Sequence, residues 1–179
     1  MTFYHQVIPN LFIGSVEAST DFDFIQKHSI SIIINCSKDI ENKFSLNLLK
    51  PIEYAPQIVQ DWLFDNSFYI KYYRVAIDDN GKPEEIDNFY KLVKELLPII
   101  EMEYNKGKCI LVHCLAGNQR SAAFVCAFLM HAKKFTLDEA ILFLLEKKPN
   151  VFFFGSQINF KNALVKIEDD IIQFKILSS

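Results

Sequence analysis

Glycine is scarce in this chain, at five residues in 179, and no proline- or serine-rich tract interrupts it. Those absences exclude a flexible linker, a low-complexity segment and a repeat array. No dense Lys/Arg block is present and the formal net charge is −3. That balance argues against wrapping nucleic acid or docking on an anionic membrane. The apolar stretches are too short to span a bilayer. The opening MTFYHQVIPN lacks a basic region leading into an apolar one, and lacks the glycine that myristoylation needs, so no targeting signal is expected in it. Four cysteines at 36, 109, 114 and 126 are irregularly spaced. They read as reduced thiols of a cytosolic or nuclear protein rather than a disulfide framework. What is abundant is apolar. Half the residues are hydrophobic and 17 are Phe, enough to bury the core of a single domain over 1–179.

Two short apolar runs flank Pro9-Asn10 and predict a small hairpin or bent edge strand ending at Gly14. Residues 15–28 predict a helix or helical turns, with Ser15 as N-cap. The β-branched run Ser29–Asn35 predicts a buried strand, and Tyr69–Ile77 and Lys108–Cys114 predict two more. Between the first two, residues 37–68 mix charges, prolines and apolar side chains. They read as a long excursion with one short helix around 57–64. DDNGKP, Asp78–Pro83, reads as a loop. Ile86, Phe89, Tyr90, Val93, Leu96, Leu97 and Ile100 form a helical stripe, which Pro98 is expected to kink or end early and Gly107 to stop. RSAAFVCAFLMHA and TLDEAILFLLEKK predict two further helices, the second with a capping box of Thr136 and Glu139. A last helix is expected within 156–172. Strands separated by helices predict an α/β fold with a central, mainly parallel sheet flanked by helices. Ligands of such sheets sit outside the carboxyl ends of the strands. Asn35, Asp78/Asp79 and Cys114 all follow strands at that end.

VHCLAGNQRSAA, Val112–Ala123, joins a strand to a helix N-terminus. Such a terminus offers unpaired N–H groups and partial positive charge, and a curled loop adds further donors for an anion. Gly117 allows the curl and Arg120 can grip two phosphate oxygens as a fork. The same features favour the thiolate of Cys114. Metal binding by Cys109, His113 and Cys114 fails on geometry, because strand alternation sends His113 and Cys114 to opposite sides. The other three cysteines read as packed thiols, Phe152–Phe154 as core or a buried connection with an exposed aromatic docking patch as the alternative, and the remaining histidines as packing or surface residues. Cys36 follows a strand at the presumed active end, so oxidative pairing with Cys114 is an alternative to simple burial.

HCLAGNQRS resembles the His-Cys-x5-Arg-Ser/Thr signature of protein tyrosine phosphatases. IPNLFIGSVEAS, YYRVAIDD, RSAAFVCAFLM and TLDEAILFLLEKKP resemble flanking segments of the dual-specificity branch, in the expected order over about Ile8–Pro149, with an extension through Asn159-Phe160 as an alternative bound. The resemblance implies a dual-specificity-phosphatase-like fold and a two-step phosphatase, with no metal or other cofactor. Cys114 is the implied nucleophile and Arg120 the phosphate clamp. Leu115, Ala116, Gly117, Asn118 and Gln119 complete the phosphate-binding loop. Ser121 would assist the leaving thiolate and His113 would orient the loop. Asp79 is the implied general acid, with Asp78 its close rival.

The implied partner is a phosphorylated protein carrying phosphotyrosine or phosphoserine/threonine. The uncharged loop argues against a phosphoinositide, and only Asn118 faintly echoes RNA-phosphatase relatives. A phosphate-binding pseudophosphatase or a scaffold using 37–68 remains an alternative. The branch commonly has Ser where Gln119 stands. The amides Asn118 and Gln119 are therefore expected to lie on the rim and shape selectivity, with the Gln119 side chain turned outward.

Overall fold

The computed structural model describes residues 3–44, 58–64 and 68–178. Its sheet begins with a hairpin, β1 (Tyr4–Ile8) and β2 (Leu11–Gly14), turned at Pro9-Asn10 with Asn10 at a φ of 64°. Two short helices follow, α1 (Val16–Thr20) and α2 (Phe22–Lys27), then β3 (Ile30–Asn35). Ser15 occupies the N-cap of α1 without a side-chain bond, whereas Asp21 caps α2 by accepting from the Phe24 N–H. A hairpin of β4 (Ile58–Phe64) and β5 (Phe68–Arg74) precedes α3 (Pro83–Asn105) and β6 (Cys109–His113). Three helices close the chain: α4 (Arg120–Lys133), α5 (Leu137–Lys147) and α6 (Lys161–Ser178).

The strand order is β1-β2-β6-β3-β5-β4. The four inner strands run parallel, and β1 and β4 pair antiparallel at the edges. Period-two alternation divides the inner strands between two cores. Leu11, Ile13, Ile32, Ile34, Tyr73, Ile110 and Val112 face α3–α6, while Phe12, Ile33, Tyr72 and Leu111 face Phe24 and Ile25 of α2. Both faces are covered, which is why the inner strands read as unbroken apolar runs. Helix α4 is buried from Ser121 through Met130, packed between the sheet and the other three large helices. Its position is therefore fixed on every side, and so is the N-terminus that opens onto the carboxyl end of β6. No helix among the described residues is long and apolar enough to cross a membrane.

Two local expectations are overturned. Residues 58–64 form strand β4 and not a helix. IVQDWLF carries β-branched and aromatic residues that suit a strand, and a neighbouring strand supplies the partner that short-range reading lacks. Helix α3 runs unbroken through Pro98 for 23 residues. Pro98 and Lys94, whose carbonyl loses its usual donor, both lie on the exposed face, while Leu96, Leu97 and Ile100 are buried. Water can satisfy the freed carbonyl, and packing on both sides of the proline holds the helix together. The remainder of the 37–68 excursion lies largely outside the described residues. The capping box of Thr136 and Glu139 is formed in both directions.

Candidate active site

Strand β6 ends at His113 between β2 and β3, and the chain turns at Cys114 into the loop that starts α4. The loop folds back against the end of β2. The Val16 N–H donates to the Leu115 carbonyl at 3.0 Å. Gly117 has a φ of 72°, and a Cβ there would lie 2.7 Å from the Gly14 carbonyl oxygen. Conformation and space both require glycine at this point. The N-cap of α4, Gln119, makes no side-chain capping bond, so the first-turn N–H groups of a buried 14-residue helix remain free to face an anion.

Cys114 is buried, and its Sγ lies 3.2 Å from the Oγ of Ser121, the second residue of α4. Arg120 opens the same helix. One end of its guanidinium donates to the Ile77 carbonyl at 3.4 Å, which ties it to the loop after β5, while its buried Nε has no acceptor among the described residues. Part of the fork is thus unspent. His113 is fully enclosed, and burial pushes its pKa down to about 3, with Arg74 and Arg120 acting in the same direction. The imidazole is neutral over the physiological range. Leu115 and Ala116 are exposed at the loop's outer edge, Asn118 is half-buried, and Gly117 is buried.

Cys36 donates its N–H to the His113 carbonyl at 2.8 Å, which puts it at the end of β3 alongside Cys114. Burial raises its thiol pKa strongly; a charge on Cys114 adds to this, and Arg120 and Arg74 oppose it. Cys36 is therefore a protonated neighbour. Arg74, at the end of β5, is buried and donates to the Ser37 carbonyl at 2.8 Å and the Asn42 Oδ1 at 3.2 Å. Asn35, the third strand-end residue, donates to the Ile40 carbonyl and the Asn42 Oδ1 and so shapes the loop after β3.

The two rival aspartates have different commitments. Asp78 accepts from Lys38 Nζ at 3.3 Å, and its own N–H donates to Glu85 Oε2 at 2.8 Å. Lys38 also pairs with Glu85, so the Asp78 carboxylate belongs to an ion cluster at the start of α3. Asp79 is exposed, and its carboxylate accepts a hydrogen bond from Asn159 Nδ2 at 2.7 Å.

The loop amides depart from expectation. Gln119 is only 4 % exposed and is turned inward: its Nε2 donates to the Gln157 carbonyl at 2.9 Å and its Oε1 accepts from the Asn159 N–H at 3.2 Å. A buried amide needs partners at both ends, and the segment before α6 supplies them. Asn118 accepts at its backbone from the Phe152 N–H, 2.9 Å, and at its Oδ1 from Lys148 Nζ, 2.7 Å. Sequence reasoning missed three residues here: Lys148, Gln157 and Asn159. Lys148 in LEKKPN looks like an ordinary surface lysine. Phe152 lies in the core as expected, but Phe153 and Phe154 are exposed, with all three at positive φ.

A family model described as "Dual specificity phosphatase, catalytic domain" matches residues 11–170. The dual specificity protein phosphatase Mpk3 of Drosophila melanogaster is 26 % identical over 167 residues, covering 93 % of this chain and 34 % of that protein. Human dual specificity protein phosphatase 2 is 28 % identical over 164 residues, covering 89 % and 44 %. The chain thus spans between a third and a half of the length of these curated relatives. Among solved structures, human DUSP28 superposes with a TM-score of 0.68 at 20 % identity, over 96 % of both chains. The human tyrosine phosphatase-like serine/threonine/tyrosine-interacting protein gives 0.67 at 24 % identity, over 94 % of this chain and 97 % of that one.

Proposed function

The chain belongs to the dual specificity phosphatase catalytic-domain family, and on that premise we propose that it is a cysteine-dependent phosphatase acting on phosphotyrosine and phosphoserine/threonine in proteins. One observation carries the reading. Cys114 sits within 3.2 Å of Ser121 at the uncapped N-terminus of α4, beside an Arg120 whose guanidinium is only partly engaged. A nucleophile and the donors for a phosphoryl group converge there.

In the first step the Cys114 thiolate attacks phosphorus and the bond to the leaving oxygen breaks. Asp79 delivers the proton that this oxygen needs. The loop N–H groups of residues 115–120 and the free edge of Arg120 hold the equatorial oxygens as charge builds on them. In the second step water attacks the phosphocysteine, Asp79 takes back a proton, and the S–P bond breaks to release phosphate. Ser121 donates to the departing sulfur. His113, neutral and enclosed, shapes the turn rather than moving protons. Asp79 is preferred to Asp78 because its carboxylate is free of the Lys38–Glu85 cluster and exposed to an incoming ester. The uncharged rim of Leu115 and Ala116 suits a phosphorylated protein segment better than a polyanionic headgroup.

Hydrolysis of a small aryl phosphate and of phosphopeptides should vanish in Cys114→Ser. Absence of any Cys114-dependent turnover in the wild-type protein would sink the enzyme reading and favour a phosphate-binding role. On a substrate with a poor leaving group, Asp79→Ala should lose roughly 10²-fold in kcat and Asp78→Ala far less. The reverse order would move the acid to Asp78.

A further inference from the structure

Lysine is seldom buried without a carboxylate, because taking its ammonium out of water costs several kcal/mol. Lys148 is 4 % exposed, and among the described residues no carboxylate lies within ion-pair distance of it. Its ammonium donates instead to two neutral oxygens, Asn118 Oδ1 and Asn150 Oδ1, each at 2.7 Å. Amide dipoles solvate a charge without cancelling it. Burial lowers the Lys148 pKa, and a charge on Cys114 acts the other way.

The lysine is held in place from several directions. It caps α5, its N–H donating to the Leu144 carbonyl at 2.8 Å and its carbonyl accepting from the Val151 N–H at 3.2 Å. Four residues further on, the Phe152 N–H bonds the Asn118 carbonyl. Asn118 is thus gripped twice by one segment, once by backbone and once by the ammonium. The other titratable and charged groups at this end of the sheet are Arg120 from α4 and Arg74 from β5, which both act on Cys36 after β3 and on His113 of β6, with His5 of β1 acted on by the lysine itself. Burial keeps Cys36 protonated and His113 neutral and lowers the His5 pKa, so the fixed charges beside the loop are the cations Arg74, Arg120 and Lys148, with the Asp79 carboxylate held by Asn159.

We propose that Lys148 is a positioning residue for the phosphatase chemistry: its buried ammonium, pinned behind the phosphate loop by Asn118, is a second fixed counter-charge for the Cys114 thiolate. It divides the work with Arg120. Arg120 points to where phosphate oxygens bind, and its charge is engaged by them. Lys148 stays behind the loop throughout, favouring the thiolate both as attacking group and as leaving group.

The inference rests on the reading of Cys114 as nucleophile, but its test needs no turnover. Alkylation of Cys114 by iodoacetamide is followed against pH, with the Cys114 peptide quantified by mass spectrometry. In Lys148→Met and Lys148→Gln the midpoint of the profile should move up by about one pH unit, a tenfold loss of thiolate below it. Lys148→Arg should restore the wild-type midpoint. The glutamine variant keeps an N–H donor for Asn118, so it separates lost charge from a lost pin and carries the test if the methionine variant fails to fold. A wild-type midpoint in Lys148→Gln would overturn the proposal, even if aryl phosphate hydrolysis remained Cys114-dependent.

Discussion

Gln119 shows how far a single side chain's role depends on what folds over it. A glutamine in an anion-binding loop can point outward at no cost to the backbone donors, so its sequence position suggests a rim residue. In the structure it is buried and bonded at both ends to residues 157 and 159. The same segment holds Asp79 through Asn159, so the loop of the proposed nucleophile and the proposed acid share a support. Gln119→Ser is expected to leave the Gln157 carbonyl and the Asn159 N–H without their partner. It should destabilise the protein by about 1–3 kcal/mol, which urea unfolding would measure. A stability loss within error, with selectivity among phosphopeptides changed instead, would return Gln119 to the rim role.

At the scale of elements, α4 and α3 repay comparison. Helix α4 is buried on all sides over Ser121–Met130, and its sequence is rich in alanine and large apolar residues, so propensity and packing agree. Helix α3 sets them against each other at Pro98. An interior proline forfeits a helical hydrogen bond and crowds the preceding turn, costing about 3 kcal/mol relative to alanine. Pro98→Ala, on the exposed face, is therefore expected to stabilise the protein by about 1–3 kcal/mol. A raised midpoint in urea with an unchanged m-value would report it, and a lowered midpoint would mean that the ring makes contacts the helix relies on.

The whole molecule carries a pH dependence to which its histidines contribute, with His113 buried and His5 and His131 half-buried. Burial lowers the pKa of His5, His113 and His131, His113 to about 3. Between pH 6.5 and 3 the unfolded chain binds a proton at His113 that the folded chain refuses, so unfolding is favoured as pH falls. Stability from this source is complete above pH 6.5 and is lost progressively below it. For His113 alone the loss from pH 7 to pH 5 should be about 2 kcal/mol. Carboxylates with lowered pKa, such as Glu103 and Asp170, contribute mainly below that range. Unfolding free energies at pH 7 and pH 5 should therefore differ less in His113→Gln than in wild type. An equal difference would assign the slope to other groups.

The sequence by itself determined the layered architecture and the loop. Strands β3, β5 and β6 are legible as apolar runs because they are covered on both faces. Thr136 and Glu139 are legible as a capping box because both partners lie within one turn. Gly117 and the five-residue spacing from Cys114 to Arg120 are legible because anion binding at a helix N-terminus is a local arrangement. Tertiary structure alone decided what depends on distant partners. It made residues 58–64 a strand by pairing them with β5, and it carried α3 through Pro98 by packing. It separated Asp79 from Asp78 by giving one Asn159 and the other the Lys38–Glu85 cluster. It also turned Lys148 from an apparent surface lysine into a buried cation bonded to Asn118 of the loop, because the segment that crosses the loop removes its side chain from water.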